Sequence, residues 1–427
     1  MEVASLQTLL LFISFISFYV YIFLLRRKLN KTATHGFKSY PLVGTLPDFL
    51  LNRHRFLDWT TAILSRCPNN TAVFRRPGKI HGVITANPQI VEHMLKSNFD
   101  NFPKGVRSRT LLKDFLGEGI FNSDGDLWKI QRKTASYEFN TKSLRNFVME
   151  NVAFELKTRL IPILENSARN DTVLDFQDIL ERFAFDNICK VAFNVDPGCL
   201  GGDGTVGGEF MRAFEDAANL SSGRFIRAGF DVVCPFLVLL VIVFKTRSGA
   251  KNPPRIGKHS TSKRKTIGDT YSFDELREMH YLQASITEAM RLYPPVPIDT
   301  KACNKDDILP DGTFIGKNWF ISYLTFAMGR MESVWGKDCC EYKPERWIEN
   351  GIWKQESPFK YPVFHAGPRM CLGKDMAFIQ MKSIAASVLE RFGMDVVMEK
   401  GKCPEYLLSL TLRMKGGLPV KVKERIV

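Results

Sequence analysis

The stretch that most constrains this chain is Phe364-His365-Ala366-Gly367-Pro368-Arg369-Met370-Cys371-Leu372-Gly373, followed at once by an apolar, helix-period segment from Met376 to Phe392. A cysteine placed just before a helix meets backbone N–H groups and the positive end of the helix dipole, which favour a thiolate over a thiol. A thiolate so held can ligate a metal. Phe364 can shield it from water, Arg369 offers a cation to a carboxylate, and Gly373 lets a flat ligand approach the backbone closely. Two other readings stay open here: a buried structural cysteine beside an ordinary turn, or a Cys371–His365 nucleophile, for which no third residue or oxyanion hole is evident.

Composition narrows the setting. The chain has 427 residues, 45% hydrophobic, without low-complexity runs or a fixed repeat, so disorder and solenoids are excluded and one large, mainly α-helical unit is expected. The net charge of +14 would suggest nucleic acid if it were spread over a surface. Instead Lys245, Arg247, Lys251, Arg255, Lys258, Lys263, Arg264 and Lys265 supply much of it, and Arg26, Arg27, Lys28 and Lys31 most of the rest. No nucleic-acid partner is expected. Nine cysteines without a Cys-x-x-Cys spacing point to a reducing compartment and to no zinc cluster.

From Leu9 to Leu25 the chain is almost wholly apolar, long enough to cross a hydrocarbon layer of about 30 Å at about 1.5 Å per residue. The basic cluster Arg26-Arg27-Lys28 follows this run instead of preceding it, which argues for an uncleaved anchor with its cytosolic end at the cluster. The expected organisation is a membrane anchor over residues 1–28, a basic, proline-containing linker over 29–44, and a domain over 45–427.

Other motifs accompany the cysteine loop. Glu288 and Arg291, three apart on a helix ending at Tyr293-Pro294-Pro295, can pair on one face. Trp128 and Arg132, four apart in Trp128-Lys129-Ile130-Gln131-Arg132, also share a helical face. Pro344-Glu345-Arg346-Trp347 follows downstream. The complete Phe-x-x-Gly-x-Arg-x-Cys-x-Gly string, with these motifs in order, resembles the cytochrome P-450 haem-thiolate monooxygenases. Longer strings, among them Phe183-Ala184-Phe185-Asp186-Asn187-Ile188-Cys189 and Asp299-Thr300-Lys301-Ala302-Cys303, resemble the plant fatty-acid ω-hydroxylase branch, whose close relatives oxidise jasmonoyl conjugates.

The resemblance implies a mainly α fold with small β-sheets, bound to the endoplasmic reticulum by a single pass with its catalytic domain in the cytosol. It implies haem b held by Cys371 as the iron ligand, with Phe364, Arg369 and Gly373 around it and Trp128, Arg132 and Lys301 toward the propionates. It assigns Glu288, Arg291 and Arg346 to a structural network, and Ile298, Asp299 and Thr300 to substrate contact. It implies dioxygen as co-substrate, NADPH electrons from a flavoprotein reductase meeting Lys129, Lys133 and Lys374, and a fatty-acid-like substrate oxidised near its ω carbon.

The resemblance fails in one region. The chain is short between Trp128 and Glu288, so part of the distal helices is expected to be missing, and residues 225–269 read as an aberrant or misread segment. Ala228-Gly229-Phe230-Asp231-Val232 is the nearest approach to the family's oxygen-handling pattern. Asp231 would be its acid, and Val232 stands where the pattern has a threonine. The alternative function is therefore a non-catalytic haem-binding remnant or a mispredicted product with little activity.

Overall fold

A computed structural model describes residues 12–21, 36–40, 42–76, 80–139, 142–201, 205–226, 270–398, 405–408 and 410–425. In chain order, the elements that position the site are strands β1 (Thr71–Arg76) and β2 (Ile80–Thr85), helix α1 (Gly125–Phe139), strand β3 (Val173–Asp175) and helix α2 (Phe176–Phe193). Helix α3 (His280–Leu292), strands β4 (Asp299–Ala302) and β5 (Phe320–Tyr323), helix α4 (Lys374–Arg391), and strands β6 (Phe392–Val396) and β7 (Pro419–Glu424) follow. The described chain is mainly helical with small sheets, as expected.

The chain divides into two compact units: Met1–Pro103 with Ile298–Ser333, and Lys104–Pro297 with Val334–Val427. The first is built on a four-stranded sheet in the order β1-β2-β5-β4, antiparallel except for the parallel β2–β5 pair. The β1–β2 register pairs Thr71 with Thr85, and their hydroxyls meet at 2.9 Å. Beside the sheet, Phe49 packs its ring 5.2 Å from both Phe37 and Trp59. Gly44 admits the chain under Arg75: a Cβ there would lie 2.2 Å from the Arg75 carbonyl oxygen, and its φ of +56° suits glycine.

In the second unit, Asp175 caps α2 by accepting hydrogen bonds from the Gln177 and Asp178 amides, and Asn194 closes that helix in the left-handed conformation. Sheet β6-β7-β3 lies alongside. Helix α4 is buried on several faces from Phe378 to Val388, marking it as a central element rather than a surface one. It starts at Lys374 and hands over to β6 at Phe392, slightly earlier at both ends than the apolar pattern suggests. The expected capping box is present: Ser272 accepts from the Glu275 amide, and Glu275 accepts from the Ser272 amide.

Residues 12–21 are helical and every one is exposed. No helix among the described residues is long and apolar enough to cross a membrane. The remainder of the 9–25 run, its basic cluster, Asp231, Val232 and the basic segment 245–268 lie outside the described residues.

Candidate active site

Cys371 is held where the turn and the helix meet. Its amide donates to the Phe364 carbonyl at 2.8 Å and the Met370 amide donates to Gly367 at 3.0 Å, closing a tight loop immediately before α4. Gly367 has φ +65°, the left-handed region that glycine enters without cost, and His365 takes φ +61° beside it. The Phe364 ring packs 5.3 Å from Phe378 on the first turns of α4, which fixes the loop against the helix.

Among the described cysteines, Cys371 and Cys340 are exposed, whereas Cys67, Cys189, Cys199, Cys303 and Cys339 are buried. Although residue 371 as a whole is open, its sulfur is surrounded closely enough for desolvation to push the thiol up. A hydrogen bond from Gly373 and the positive charge of Arg132 pull the other way without prevailing. The positive end of α4 acts in the same direction as these two, toward the thiolate. Bonding to a metal deprotonates such a thiol outright.

Helix α1 supplies the other side. Trp128 is buried, and the Arg369 guanidinium lies 4.3 Å over its ring. Arg369 also donates to the Ser123 carbonyl at 3.0 Å and to Asp124 at 2.8 Å, so the carboxylate it meets within the protein is Asp124. One turn beyond Trp128, Arg132 is electrostatically coupled to Cys371; burial pulls its guanidinium below the ordinary value against the attraction of that sulfur. A Cβ at Gly373 would meet Phe139 at 3.6 Å and the Cys371 sulfur at 4.0 Å, ordinary contacts both. Protein packing alone therefore does not demand glycine there.

A second cluster lies in the same unit. Arg291 and Glu288 of α3 are buried and pair in a fork, with Nε and Nη2 each 2.7 Å from a carboxylate oxygen. Arg291 also donates to the Cys339 carbonyl at 2.6 Å and the Glu341 carbonyl at 2.9 Å. Arg346 reaches Glu288 at 3.4 Å and donates to the Trp335 and Asp338 carbonyls. Glu288 is thereby surrounded, since the Trp347 indole donates at 2.8 Å and the Lys343 amide at 2.9 Å. The three residues expected to form a network do so, and the charges are spent on holding backbone.

Of the expected site residues that the structure describes, Ile298, Asp299, Thr300 and Lys301 belong to the other unit. On β4, Asp299 and Lys301 lie on one face of the strand and Thr300 on the other. Lys301 is fully buried and its ammonium donates to Asp299 at 2.5 Å, while Thr300 meets Ser322 at 2.8 Å across the β4–β5 pair. Ile298, just before the strand, is half-buried.

Sequence reading missed Asp124, Trp347 and the Cys339 and Glu341 carbonyls. Asp124 immediately precedes α1, and its carboxylate accepts from the Lys104 and Gly105 amides and from Arg369. The Trp347 indole N–H is a buried donor that needs an acceptor, which was the available clue.

A cysteine on a glycine-bent loop, a cation acting on its sulfur, a buried Trp, and a Gly373 whose side-chain position meets only ordinary contacts fit a haem held through sulfur. Comparison with known proteins agrees. The sequence model of the family described as Cytochrome P450 matches residues 35–234 and 256–421. The chain is 43% identical over 460 aligned positions to Cytochrome P450 CYP94D108 of Paris polyphylla, covering 90% of this chain and 91% of that protein. Identity is 37% over 473 positions to Cytochrome P450 94A2 of Vicia sativa, covering 91% of each, and 34% over 504 to Cytochrome P450 86B1 of Arabidopsis thaliana, covering 96% of this chain and 89% of that protein. Each span is longer than the 427 residues of this chain, so these relatives carry internal residues that it lacks. The family match pauses between residues 234 and 256, inside the expected aberrant segment and narrower than it. With residues 35–234 and 256–421 matched to the family model and plant relatives this similar over nine-tenths of its length, the chain belongs to the cytochrome P450 family of haem-thiolate monooxygenases.

Proposed function

We propose that this chain is a haem-dependent monooxygenase that hydroxylates a fatty acid or fatty-acid-like substrate at or near its ω carbon, with dioxygen as co-substrate and NADPH electrons delivered by a flavoprotein reductase. The observation that carries this reading is Cys371, an exposed residue on the loop before α4 whose sulfur feels the positive charge of Arg132. When bound, the haem supplies reductive activation of dioxygen. Cys371 would hold its iron, with Phe364 and Gly373 beside the sulfur.

Arg132, Trp128 and Arg369 would face the propionates. Arg369 is already fixed by Asp124 and the Trp128 ring, so its position costs little further ordering on binding. Loss of positive charge at Arg132 would raise the Cys371 thiol further and weaken the hold on a metal. The resemblance to the plant ω-hydroxylase branch supports the substrate class, Ile298, Asp299 and Thr300 remain its proposed contacts, and Asp231 the proposed acid. The apolar run from Leu9 to Leu25 with its basic cluster supports a single membrane anchor at the endoplasmic reticulum.

A second reading has its own observation. The relatives carry internal residues this chain lacks, which favours a haem-binding remnant with little turnover. NADPH-dependent hydroxylation of medium- and long-chain fatty acids, measured with purified protein and reductase, separates the two. Hydroxylated product that disappears in Cys371→Ala supports the enzyme; a haem-loaded protein that yields no product from any such acid supports the remnant.

A further inference from the structure

Cys339 and Cys340 form the chain's one pair of adjacent cysteines, and nothing in the proposed reaction uses them. Their sulfurs lie 3.9 Å apart, with Cys340 exposed and Cys339 7% exposed at the edge of an apolar cluster with Ala284, Trp335 and Trp347. We propose that Cys339 and Cys340 are a vicinal dithiol site for a soft trivalent thiophile of the arsenoxide class, and that filling it loosens the buried Glu288–Arg291–Arg346 network.

Geometry decides what such a pair can hold. Adjacent Cα atoms are about 3.8 Å apart across a trans peptide, below the roughly 4.4–6.8 Å that an ordinary disulfide spans. A direct bond would also have to bring the sulfurs from 3.9 Å to about 2.05 Å. A disulfide here is therefore strained, and strained disulfides are the readily reduced ones. A larger bridging atom leaves the sulfurs further apart and needs a much smaller movement. Arsenic(III) is soft, prefers thiolate ligands and takes two of them on one side.

The step balances without electron transfer. In an arsenoxide, the arsenic–oxygen bonds break, two arsenic–sulfur bonds form, and the two thiol protons leave with the oxygen as water. The exposed Cys340 makes first contact and Cys339 closes the chelate. A second attachment converts a bimolecular step into an intramolecular one, which strengthens retention by roughly 10²–10⁴.

Occupancy reaches the network through the Cys339 carbonyl and the Trp335 ring. The Cys339 carbonyl accepts from Arg291 Nη1 at 2.6 Å, and the Cys339 side chain packs beside Trp335, whose ring lies 5.2 Å from the same guanidinium. Drawing the Cys339 sulfur toward Cys340 pulls on the backbone that carries that carbonyl and withdraws the side chain from the tryptophans.

The test uses the full chain, phenylarsine oxide, and intact mass measured in excess 2-mercaptoethanol. One adduct resistant to the monothiol but removed by 2,3-dimercaptopropanol is expected for the natural chain. Cys340→Ser, an exposed and mild change, is expected to retain the adduct at least roughly 10²-fold less. The adduct should lower the Tm of the natural chain and leave that of Cys340→Ser unmoved. Equal retention in Cys340→Ser, or no monothiol-resistant adduct on the natural chain, overturns the site. An adduct that leaves Tm unchanged overturns the coupling to the network.

Discussion

Glu288 shows how much a single buried charge can organise. Its two oxygens accept from Arg291, Arg346, the Trp347 indole and the Lys343 amide, and Arg291 in turn grips two carbonyls of the 339–341 segment. Removing one partner of a buried pair leaves the other charge uncompensated, which typically costs about 3–5 kcal/mol. Arg291→Ala is therefore expected to lose that much in denaturant unfolding, whereas an unchanged midpoint would show that the network is not structural. Glu155 makes a pH prediction of the opposite kind. Burial raises its carboxyl to about 7 despite the hydrogen bond from Arg159 at 2.7 Å, and its Oε1 has no hydrogen-bond partner. Because the folded state holds this proton longer than the unfolded chain, the group destabilises the fold progressively as pH rises from about 4.5 to about 7. Glu155→Gln should consequently gain stability relative to the natural chain between pH 5 and pH 8, and a gain independent of pH would contradict the assignment. Much at this scale was legible: spacing put Glu288 beside Arg291 and Trp128 one turn before Arg132. What spacing could not supply was a partner distant in sequence, so Asp124 as the anchor of Arg369 and Trp347 as a donor to Glu288 emerged only from the fold.

Elements carry these residues into register. The loop before α4 works because Gly367 turns it and the helix following Cys371 is buried along most of its length. Periodicity announced that helix; its C-terminal end came one residue early because β6 takes Phe392 into sheet pairing with Glu424. The Ser272–Glu275 capping box was readable from four letters because a cap depends only on local backbone geometry. Ser272→Ala is expected to cost about 0.5–2 kcal/mol in thermal or denaturant unfolding, and Ser272→Asn should recover most of it. On β4, alternation separates Thr300 from Asp299 and Lys301, so the three residues proposed near substrate and propionate cannot all present side chains to one surface. Strand pairing sets this, and the motif alone left it undetermined.

At the scale of the molecule, the sequence reading reached the family, the mainly helical fold and the internal shortening, because motif order and chain length are properties of the string itself. Chain order alone does not show that the first compact unit is assembled from two separated stretches brought together by the pairing of β2 with β5. The family's haem-thiolate chemistry rests on whether the Cys371 sulfur holds haem iron in a chain that lacks residues its relatives possess. The most direct measurement is the visible spectrum of the purified full chain, loaded with haem, reduced and exposed to carbon monoxide. The account predicts the strongly red-shifted band of thiolate-ligated haem for the natural chain and its loss in Cys371→Ser. A natural chain that binds no haem, or a band that survives in Cys371→Ser, would contradict it.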